Sequence, residues 1–146
     1  MNSGLFSEVE FSVSHPDAKE PSKTYESDAG ADLSCLEDFW LFPGETKLIK
    51  TGISLSVPNH CYAQLATRSS TALKSVCVTG GVIDYGYAGE VGVVLNNLGN
   101  KRVDFTKGDR IAQVIFLPIV EVTFKRVNEL KSSPRGKKGF GSSNTK

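Results

Sequence analysis

The sequence predicts a small all-β protein with one domain. Short segments alternate apolar residues with polar or small ones, and because successive side chains of a strand point to opposite faces, this pattern indicates strands. Turn signals such as Pro43-Gly44 and Lys107-Gly108-Asp109 separate the segments at intervals of about ten residues, a spacing typical of a barrel or a sandwich. The length of 146 residues suits one hydrophobic core and is short for two.

The strand pattern is clearest in three segments, residues 9–13, 51–57 and 91–95. No segment shows a sustained helical period, so little helix is expected. Residues 69–74 are the main candidate for a helix, one or two turns long. Residues 111–120 are almost continuously apolar, which predicts a strand buried on both faces, with an interruption or an edge position near Pro118.

The C-terminal residues differ in composition from the rest of the chain. Residues 132–143 are rich in Gly, Ser and Lys, as flexible segments are. We therefore expect one β-barrel domain over residues 1–130 and a flexible tail over residues 131–146.

Composition argues against several classes of function. Lys and Arg number 17 and Asp and Glu 16, so the net charge of +1 is too small for the positive field of a general nucleic-acid binder. No apolar run approaches the roughly 20 residues of a membrane span. The cysteines Cys35, Cys61 and Cys77 are odd in number and lack C-x-x-C spacing, which argues against a disulfide framework and a zinc site. No secretory signal is seen, so a reducing compartment, cytoplasmic or nuclear, is expected.

The histidines do not indicate a catalytic centre. His15 and His60 have no His, Cys or carboxylate neighbour at metal-ligand spacing, and neither lies in a Ser/His/Asp-like context. A surface or structural role is the favoured interpretation for both. A hydrolase with this sequence would therefore activate water with a carboxylate, and the polar loops are the place to look for it.

Two polar stretches are candidates for ligand contacts. Asp32 follows small residues that allow close backbone approach, which suits a metal or a ligand, although a solvated turn aspartate is the commoner case. Arg68, Ser69 and Ser70 follow a predicted strand and open the short helix, so their donors can converge on a phosphate. A serine cap with Arg68 in a salt bridge is the alternative.

Residues 80–90 form the most informative stretch because they combine four glycines, two tyrosines and an aspartate between strands. We interpret them as a hairpin with exposed backbone that can hydrogen-bond the edge of a base. Tyr87 then offers a flat face to a sugar, and Asp84 can polarise a water. A glycine-rich hairpin with a tyrosine rim and no ligand is the structural alternative.

Two further features are ambiguous by themselves. Gln113 interrupts an apolar strand, so it either faces a ligand or a subunit interface or makes an internal hydrogen bond. In the tail, Arg135, Phe140 and the nearby lysines combine phosphate donors with an aromatic ring that can stack on a base. A disordered basic tail without a ligand is the alternative.

Taken together and in order, these five stretches resemble the five motifs of the trimeric dUTPase family, over residues 29–143. The best matches are Ala29-Gly30-Ala31-Asp32-Leu33, Gly81-Val82-Ile83-Asp84 with Tyr87 and Gly89, Gly108-Asp109-Arg110-Ile111-Ala112-Gln113, and Arg135-Gly136 followed by Gly139-Phe140-Gly141-Ser142. The resemblance implies a distorted jelly-roll β-barrel that assembles as a homotrimer, with each active site drawing residues from all subunits. It also implies hydrolysis of dUTP to dUMP and pyrophosphate with Mg²⁺, which lowers dUTP and supplies dUMP for dTTP synthesis.

The same resemblance implies a role for each candidate residue. Asp84 is expected to orient the water that attacks the α-phosphorus, and Tyr87 to lie against the deoxyribose and leave no space for a 2′-hydroxyl. The backbone of Gly81, Val82 and Ile83 is expected to hydrogen-bond uracil. The other expected substrate-binding residues, which hold the triphosphate or, in the case of Phe140, stack on the uracil, are Arg68, Ser69, Ser70, Gln113, Arg135, Phe140, Gly141 and Ser142. Asp32 is expected to support Mg²⁺ indirectly, through water, with the metal mainly on the substrate phosphates.

Three positions depart from the motifs of the family. Ser70 stands where glycine is usual, Thr67 where proline is usual, and Lys138 where the tail commonly has glycine.

Other functions fit the sequence less well. A dCTP deaminase needs a catalytic glutamate about where this chain has Val94, and a non-catalytic relative would not need the intact Asp84. A nucleic-acid module would rest on a few basic residues of the tail alone.

Overall fold

The computed structural model describes residues 7–141. Over these residues the protein is nearly all β, as the sequence predicts, with ten strands and one helical turn. The strands are β1 (Phe11–Val13), β2 (Ala31–Ser34), β3 (Phe39–Leu41), β4 (Thr46–Leu55), β5 (Cys61–Ala66), β6 (Val76–Val78), β7 (Val82–Ile83), β8 (Glu90–Asn97), β9 (Val103–Phe105) and β10 (Arg110–Pro118), and the helical turn is α1 (Ser69–Ala72).

Two large antiparallel sheets share one core in the described chain. The first sheet has the strand order β1-β4-β8-β6, the second has the order β2-β10-β5-β7, and a small third sheet pairs β3 with β9. The core takes side chains from both large sheets, including Ile53, Val93 and Leu95 of the first and Leu33 and Val114 of the second. Two sheets that close on one core are the arrangement expected of a jelly-roll fold.

The alternation in β8 is expressed as the sequence predicts. Val91, Val93 and Leu95 are buried, and the residues between them are half-buried. β4 departs from strict alternation at residues 51–53, which are all buried, because its pairing with β8 shifts register there.

The last strand, β10, is only partly as predicted. It ends at Pro118, where the sequence indicates an interruption. Burial on both faces holds only for its first half, in which Ile111, Ala112 and Val114 are buried, whereas residues 115–117 are half-buried. One face of this second half therefore lies uncovered in the single chain.

The helical turn α1 is shorter than the predicted helix over residues 69–74. The chain leaves the helical conformation at Ser75, whose φ of 62° lies in the left-handed region. The carbonyl of Ser75 then accepts a hydrogen bond from Leu98 N at 2.8 Å, which ties the end of the turn to the chain that follows β8.

Residues 80–90 do not form the predicted hairpin. β7 pairs with β5 in the second sheet, whereas β8 pairs with β4 and β6 in the first, so the segment between them crosses from one sheet to the other. The glycines correctly predict a turn, but the packing of side chains on the core decides which strand β7 pairs with. Ile83 is buried in that core, and Gly86, at a φ of 90°, lets the chain turn towards β8.

Residues 119–141 contain neither a strand nor a helix and are almost entirely exposed. Their uncovered apolar side chains include Val120, Phe124 and Leu130. The division into a domain over residues 1–130 and a tail over residues 131–146 stays a prediction, since the last strand already ends at Pro118.

The cysteines are free, as the sequence predicts. Cys35 is buried and its thiol lies 3.2 Å from the Thr106 carbonyl, whereas Cys61 and Cys77 are half-buried. Burial raises the pKa of the Cys35 thiol, so this thiol stays protonated at neutral pH. Among the helices of the described residues, none is long and apolar enough to cross a membrane.

Candidate active site

A pocket of about 230 Å³ lies where the chain crosses between the two large sheets. Residues 81–84, Tyr87 and residues 90–92 form its walls, with Leu65 of β5 beside them. This is the stretch that the sequence marks as most informative. The structure therefore brings Gly81, Val82, Ile83, Asp84 and Tyr87 together, as predicted.

Gly81 fixes the course of the backbone along the pocket. Its φ of 98° is one that other residues rarely adopt, and a Cβ atom there would lie 2.9 Å from the Leu65 carbonyl oxygen. The Gly81 carbonyl accepts a hydrogen bond from Leu65 N at 2.8 Å, which holds the two strands at this close approach. Glycine is thus required here by both conformation and space.

β7 presents free backbone groups to the pocket because it is an edge strand. It pairs with β5 on one side only, so peptide groups on its other side have no strand partner. The buried side chain of Ile83 anchors the strand, while that of Val82 is exposed. Such an edge can hydrogen-bond the polar edge of a planar ligand such as a base.

Tyr87 and Asp84 stand at the rim of the pocket. Tyr87 N donates to the Asp84 carbonyl at 3.2 Å, and the Tyr87 hydroxyl donates to the Glu90 carbonyl at 2.9 Å, so the ring is fixed at both ends. Gly89 lies under the ring, where a Cβ atom would overlap it. The Asp84 side chain is exposed, and within residues 7–141 no side chain forms an ion pair with it. Its carboxylate is free to accept a hydrogen bond from water.

A second group of candidate residues surrounds Asp32. Arg68 Nε donates to Asp32 Oδ1 at 2.9 Å, and Arg110 Nη1 lies 3.6 Å from Asp32 Oδ2. Arg68 Nη1 also donates to Ser70 Oγ at 3.1 Å. The salt bridge that the sequence allowed for Arg68 is therefore present. Because two guanidinium groups share one carboxylate, this group remains positive and can attract an anion.

Gln113 belongs to this second group. It is the register partner of Asp32 across β2 and β10, and its amide Nε2 donates to the Thr67 carbonyl at 3.2 Å. A Cβ atom on Gly30 would lie 2.7 Å from Gln113 Oε1, so the glycine makes room for this side chain. The internal hydrogen bond is thus observed, and it gives the amide a fixed orientation.

Within one chain the two groups are separate. Asp32, Arg68, Gln113 and the serines that follow Arg68 are not among the residues that line the pocket. Ser69 and Ser70 are exposed at the start of α1. The predicted phosphate contacts and the predicted base pocket therefore do not converge within one chain.

The tail residues are placed apart from both groups. Arg135 Nε donates to the Lys138 carbonyl at 2.9 Å, and Gly136 N donates to the Ser133 carbonyl at 3.0 Å, which forms a turn. Phe140 and Gly141 are exposed and do not line the pocket. Ser142 lies outside the described residues.

Asp32 is the only predicted metal contact, and its surroundings fit an indirect role. Its side chain is 17% exposed, and one carboxylate oxygen is occupied by Arg68. The other oxygen is beyond hydrogen-bond distance from Arg110 and can accept a bond from a metal-bound water. Residues 7–141 contain no group of at least three His, Cys, Asp or Glu side chains arranged to hold a metal.

Sequence reasoning missed two residues that shape the site. Arg110 belongs to a motif but is not among the predicted site residues, although its charge lies beside Asp32. Glu90 closes the pocket and its carbonyl holds Tyr87. The position of Arg110, directly before the buried part of a strand and next to a turn, is the available signal. Only the pairing of β10 with β2 shows which carboxylate Arg110 approaches.

Solved structures define the class of this fold. The chain matches a Staphylococcus bacteriophage 80alpha dUTPase with dUpNHpp at a TM-score of 0.89 and 29% sequence identity, covering 94% of this chain and 99% of that one. A dUTPase from phage phi11 of S. aureus matches at a TM-score of 0.81 and 24% identity, covering 87% and 100%. The protein thus has the all-β, jelly-roll-like fold of these phage enzymes.

Sequence comparisons then give the family. A family model described as dUTPase matches residues 17–144. A deoxyuridine 5′-triphosphate nucleotidohydrolase of Clostridium tetani is 46% identical over 129 residues, covering 86% of this chain and 89% of that protein. One of Variola virus is 43% identical over 141 residues, covering 97% and 96%. The chain belongs to the dUTPase family.

Proposed function

We propose that this protein is a homotrimeric dUTP diphosphatase, which hydrolyses dUTP to dUMP and pyrophosphate with Mg²⁺. The observation that carries the proposal is the pocket on the free edge of β7, with Asp84 and Tyr87 at its rim. The curated relatives carry the name of this activity, and the phage 80alpha structure contains a dUTP analogue, dUpNHpp.

The edge of β7 selects the base. Free peptide groups of Gly81, Val82 and Ile83 would bond the O4 and N3–H edge of uracil, and cytosine presents the reversed pattern of donors and acceptors there. The ring of Tyr87, held by Glu90 and packed on Gly89, lies against the deoxyribose and excludes a 2′-hydroxyl. Base and sugar are thus recognised by rigid backbone and by one fixed ring.

Asp84 supplies the base for the reaction. Its exposed carboxylate accepts a proton from a water, which attacks the α-phosphorus and releases pyrophosphate. Arg68, Gln113 and, from the tail, Arg135 bind the phosphate oxygens and neutralise charge as it develops on the leaving group. Ser69, Ser70, Gly141 and Ser142 complete the phosphate contacts, and Phe140 stacks on the uracil.

When bound, Mg²⁺ would neutralise charge on the triphosphate, because phosphate and water oxygens are the ligands this ion prefers. Asp32 would support the ion indirectly, since the carboxylate oxygen that Arg68 does not occupy can accept a hydrogen bond from a water. The arginines on either side keep Asp32 in place.

Assembly brings the separate groups together. A single chain holds the base pocket and the group around Asp32 at different places, and it leaves Val120, Val122 and Phe124 exposed, at 84%, 65% and 98% of their surface. Association of subunits covers such apolar side chains and completes each active site with residues of its neighbours. The tail then closes over the nucleotide.

A cytoplasmic or nuclear location fits three free cysteines.

Pyrophosphate release with Mg²⁺ tests the proposal. Rates are compared for dUTP, dCTP, dTTP and UTP, with ammonia measured in parallel and an EDTA control. We expect rapid release from dUTP alone and no ammonia from dCTP. Equal rates on the four nucleotides would contradict selection by the edge of β7, and ammonia from dCTP would indicate a deaminase.

A further inference from the structure

Thr67 connects the two groups of site residues within one chain. It lies between the end of β5 and Arg68. Its hydroxyl contacts the strand that leads into the pocket, and its carbonyl contacts Gln113 of the second group. Its hydroxyl Oγ1 accepts a hydrogen bond from Val78 N at 2.9 Å, and its carbonyl accepts one from Gln113 Nε2 at 3.2 Å.

The contact to Val78 fastens an edge of the first sheet. β6 is an outer strand of that sheet, and the next residue, Thr79, donates its N–H to the Val94 carbonyl of β8 at 2.9 Å. Because successive N–H groups of a strand point in opposite directions, that of Val78 points away from β8. The Thr67 hydroxyl therefore satisfies a backbone donor that the sheet itself leaves free.

β6 leads directly into the base pocket. Only Thr79 and Gly80 separate Val78 from Gly81, whose conformation sets the position of the peptide groups in β7. The far end of the segment is anchored by the buried side chain of Ile83. The bond from Thr67 to Val78 anchors the near end, where glycines otherwise leave the chain free to move.

The carbonyl of Thr67 contacts the second group, the one around Asp32, through Gln113. It holds the amide nitrogen of Gln113, and Gln113 Oε1 then lies against Gly30. A backbone carbonyl is present whatever side chain residue 67 carries. A substitution of the side chain therefore removes the anchor of the base pocket and leaves the contact to Gln113 in place.

We infer that Thr67 is a positioning residue for the hydrolysis of dUTP, in which its hydroxyl anchors the backbone that leads into the base pocket. The inference rests on the proposed function. Valine has the shape of threonine without the hydroxyl, and serine keeps the hydroxyl, so the pair Thr67→Val and Thr67→Ser isolates the hydrogen bond.

The test measures KM and kcat for dUTP and the inhibition constants of dUMP and pyrophosphate in these two variants. Thr46→Val is the matched control, because Thr46 of β4 also accepts a side-chain hydrogen bond, from Asn96, and belongs to neither group. We expect Thr67→Val to raise KM and the dUMP constant about five-fold, as the loss of one neutral hydrogen bond implies. The pyrophosphate constant should stay unchanged, and Thr67→Ser and Thr46→Val should behave as the wild type.

An unchanged dUMP constant in Thr67→Val overturns the inference, even if the melting temperature falls. Equal weakening of dUMP and pyrophosphate overturns it as well, because that result indicates a general disturbance of the fold. If the wild-type protein does not hydrolyse dUTP, the proposed function fails. The positioning role is then decided by calorimetric binding of dUMP to the same three variants.

Discussion

Asp84 illustrates what a single residue contributes, since its carboxylate is exposed at the rim of a pocket built from backbone. We expect Asp84→Asn to lower kcat for dUTP by about 10²- to 10⁴-fold, the usual contribution of a general base, with nearly unchanged affinity for dUpNHpp. The amide keeps the size of the side chain and cannot take a proton from water. Steady-state turnover and calorimetric binding of dUpNHpp measure the two quantities.

The control for this prediction is Asp104→Asn. Asp104 is also exposed and pairs with Arg102 on the small sheet, away from the pocket. This variant should keep wild-type turnover. Full turnover in Asp84→Asn would remove Asp84 as the group that activates water.

Arg68 shows why the identity of a basic residue matters. Its Nε holds Asp32 and its Nη1 holds Ser70, so a lysine can replace the charge but not both contacts. We expect Arg68→Lys to raise KM for dUTP by about ten-fold, in line with the loss of a charge-assisted hydrogen bond. A lysine that leaves KM unchanged would show that only charge is needed. Arg102→Lys serves as the control in the same assay, because Arg102 directly precedes β9 and pairs with Asp104.

At the scale of elements, the periodicity of the sequence predicts where the strands lie but not which strands pair with each other. The pattern of β8 follows directly from its buried Val91, Val93 and Leu95. The sequence around Gly86 predicts a turn equally well for a hairpin or a crossing between sheets, and only the packing of Ile83 on the core decides for the crossing. Local pattern therefore predicted the residues that line the pocket, but it predicted the wrong connection between the strands that form it.

Gly81 offers a test of the crossing segment. We expect Gly81→Ala to lower stability by about 1–3 kcal/mol, because alanine meets both an unfavourable φ and the Leu65 carbonyl at 2.9 Å. The displaced backbone should also weaken dUMP inhibition. Gly44→Ala is the matched control, since Gly44 has a φ of 79° and nothing within 4 Å of a Cβ atom. Thermal unfolding of both variants separates the cost of steric overlap from the cost of φ strain. Equal losses of stability in the two variants would contradict the close approach of residue 81 to the Leu65 carbonyl.

At the scale of the whole molecule, the predicted site residues do not all come together within one chain. The motifs predict which residues contact a nucleotide, but Arg68 and Asp84 lie in different groups of the same chain. Spacing along a chain does not encode the contacts between copies of it. The exposed apolar side chains after Pro118 are the surface that the proposed assembly would cover.

The tail provides a way to separate assembly from catalysis. The uncovered residues Val120, Val122, Phe124 and Leu130 all precede Arg135, so a chain that ends at Pro134 retains the apolar surface that association would bury. We expect this truncated protein to remain a trimer by sedimentation and to lose most kcat/KM for dUTP, because Arg135 and Phe140 are absent. The full-length variant Arg135→Ala should show a smaller loss with the same sedimentation. A monomeric truncated protein would assign the tail to assembly, and full activity would show that closure over the nucleotide does not need residues 135–146.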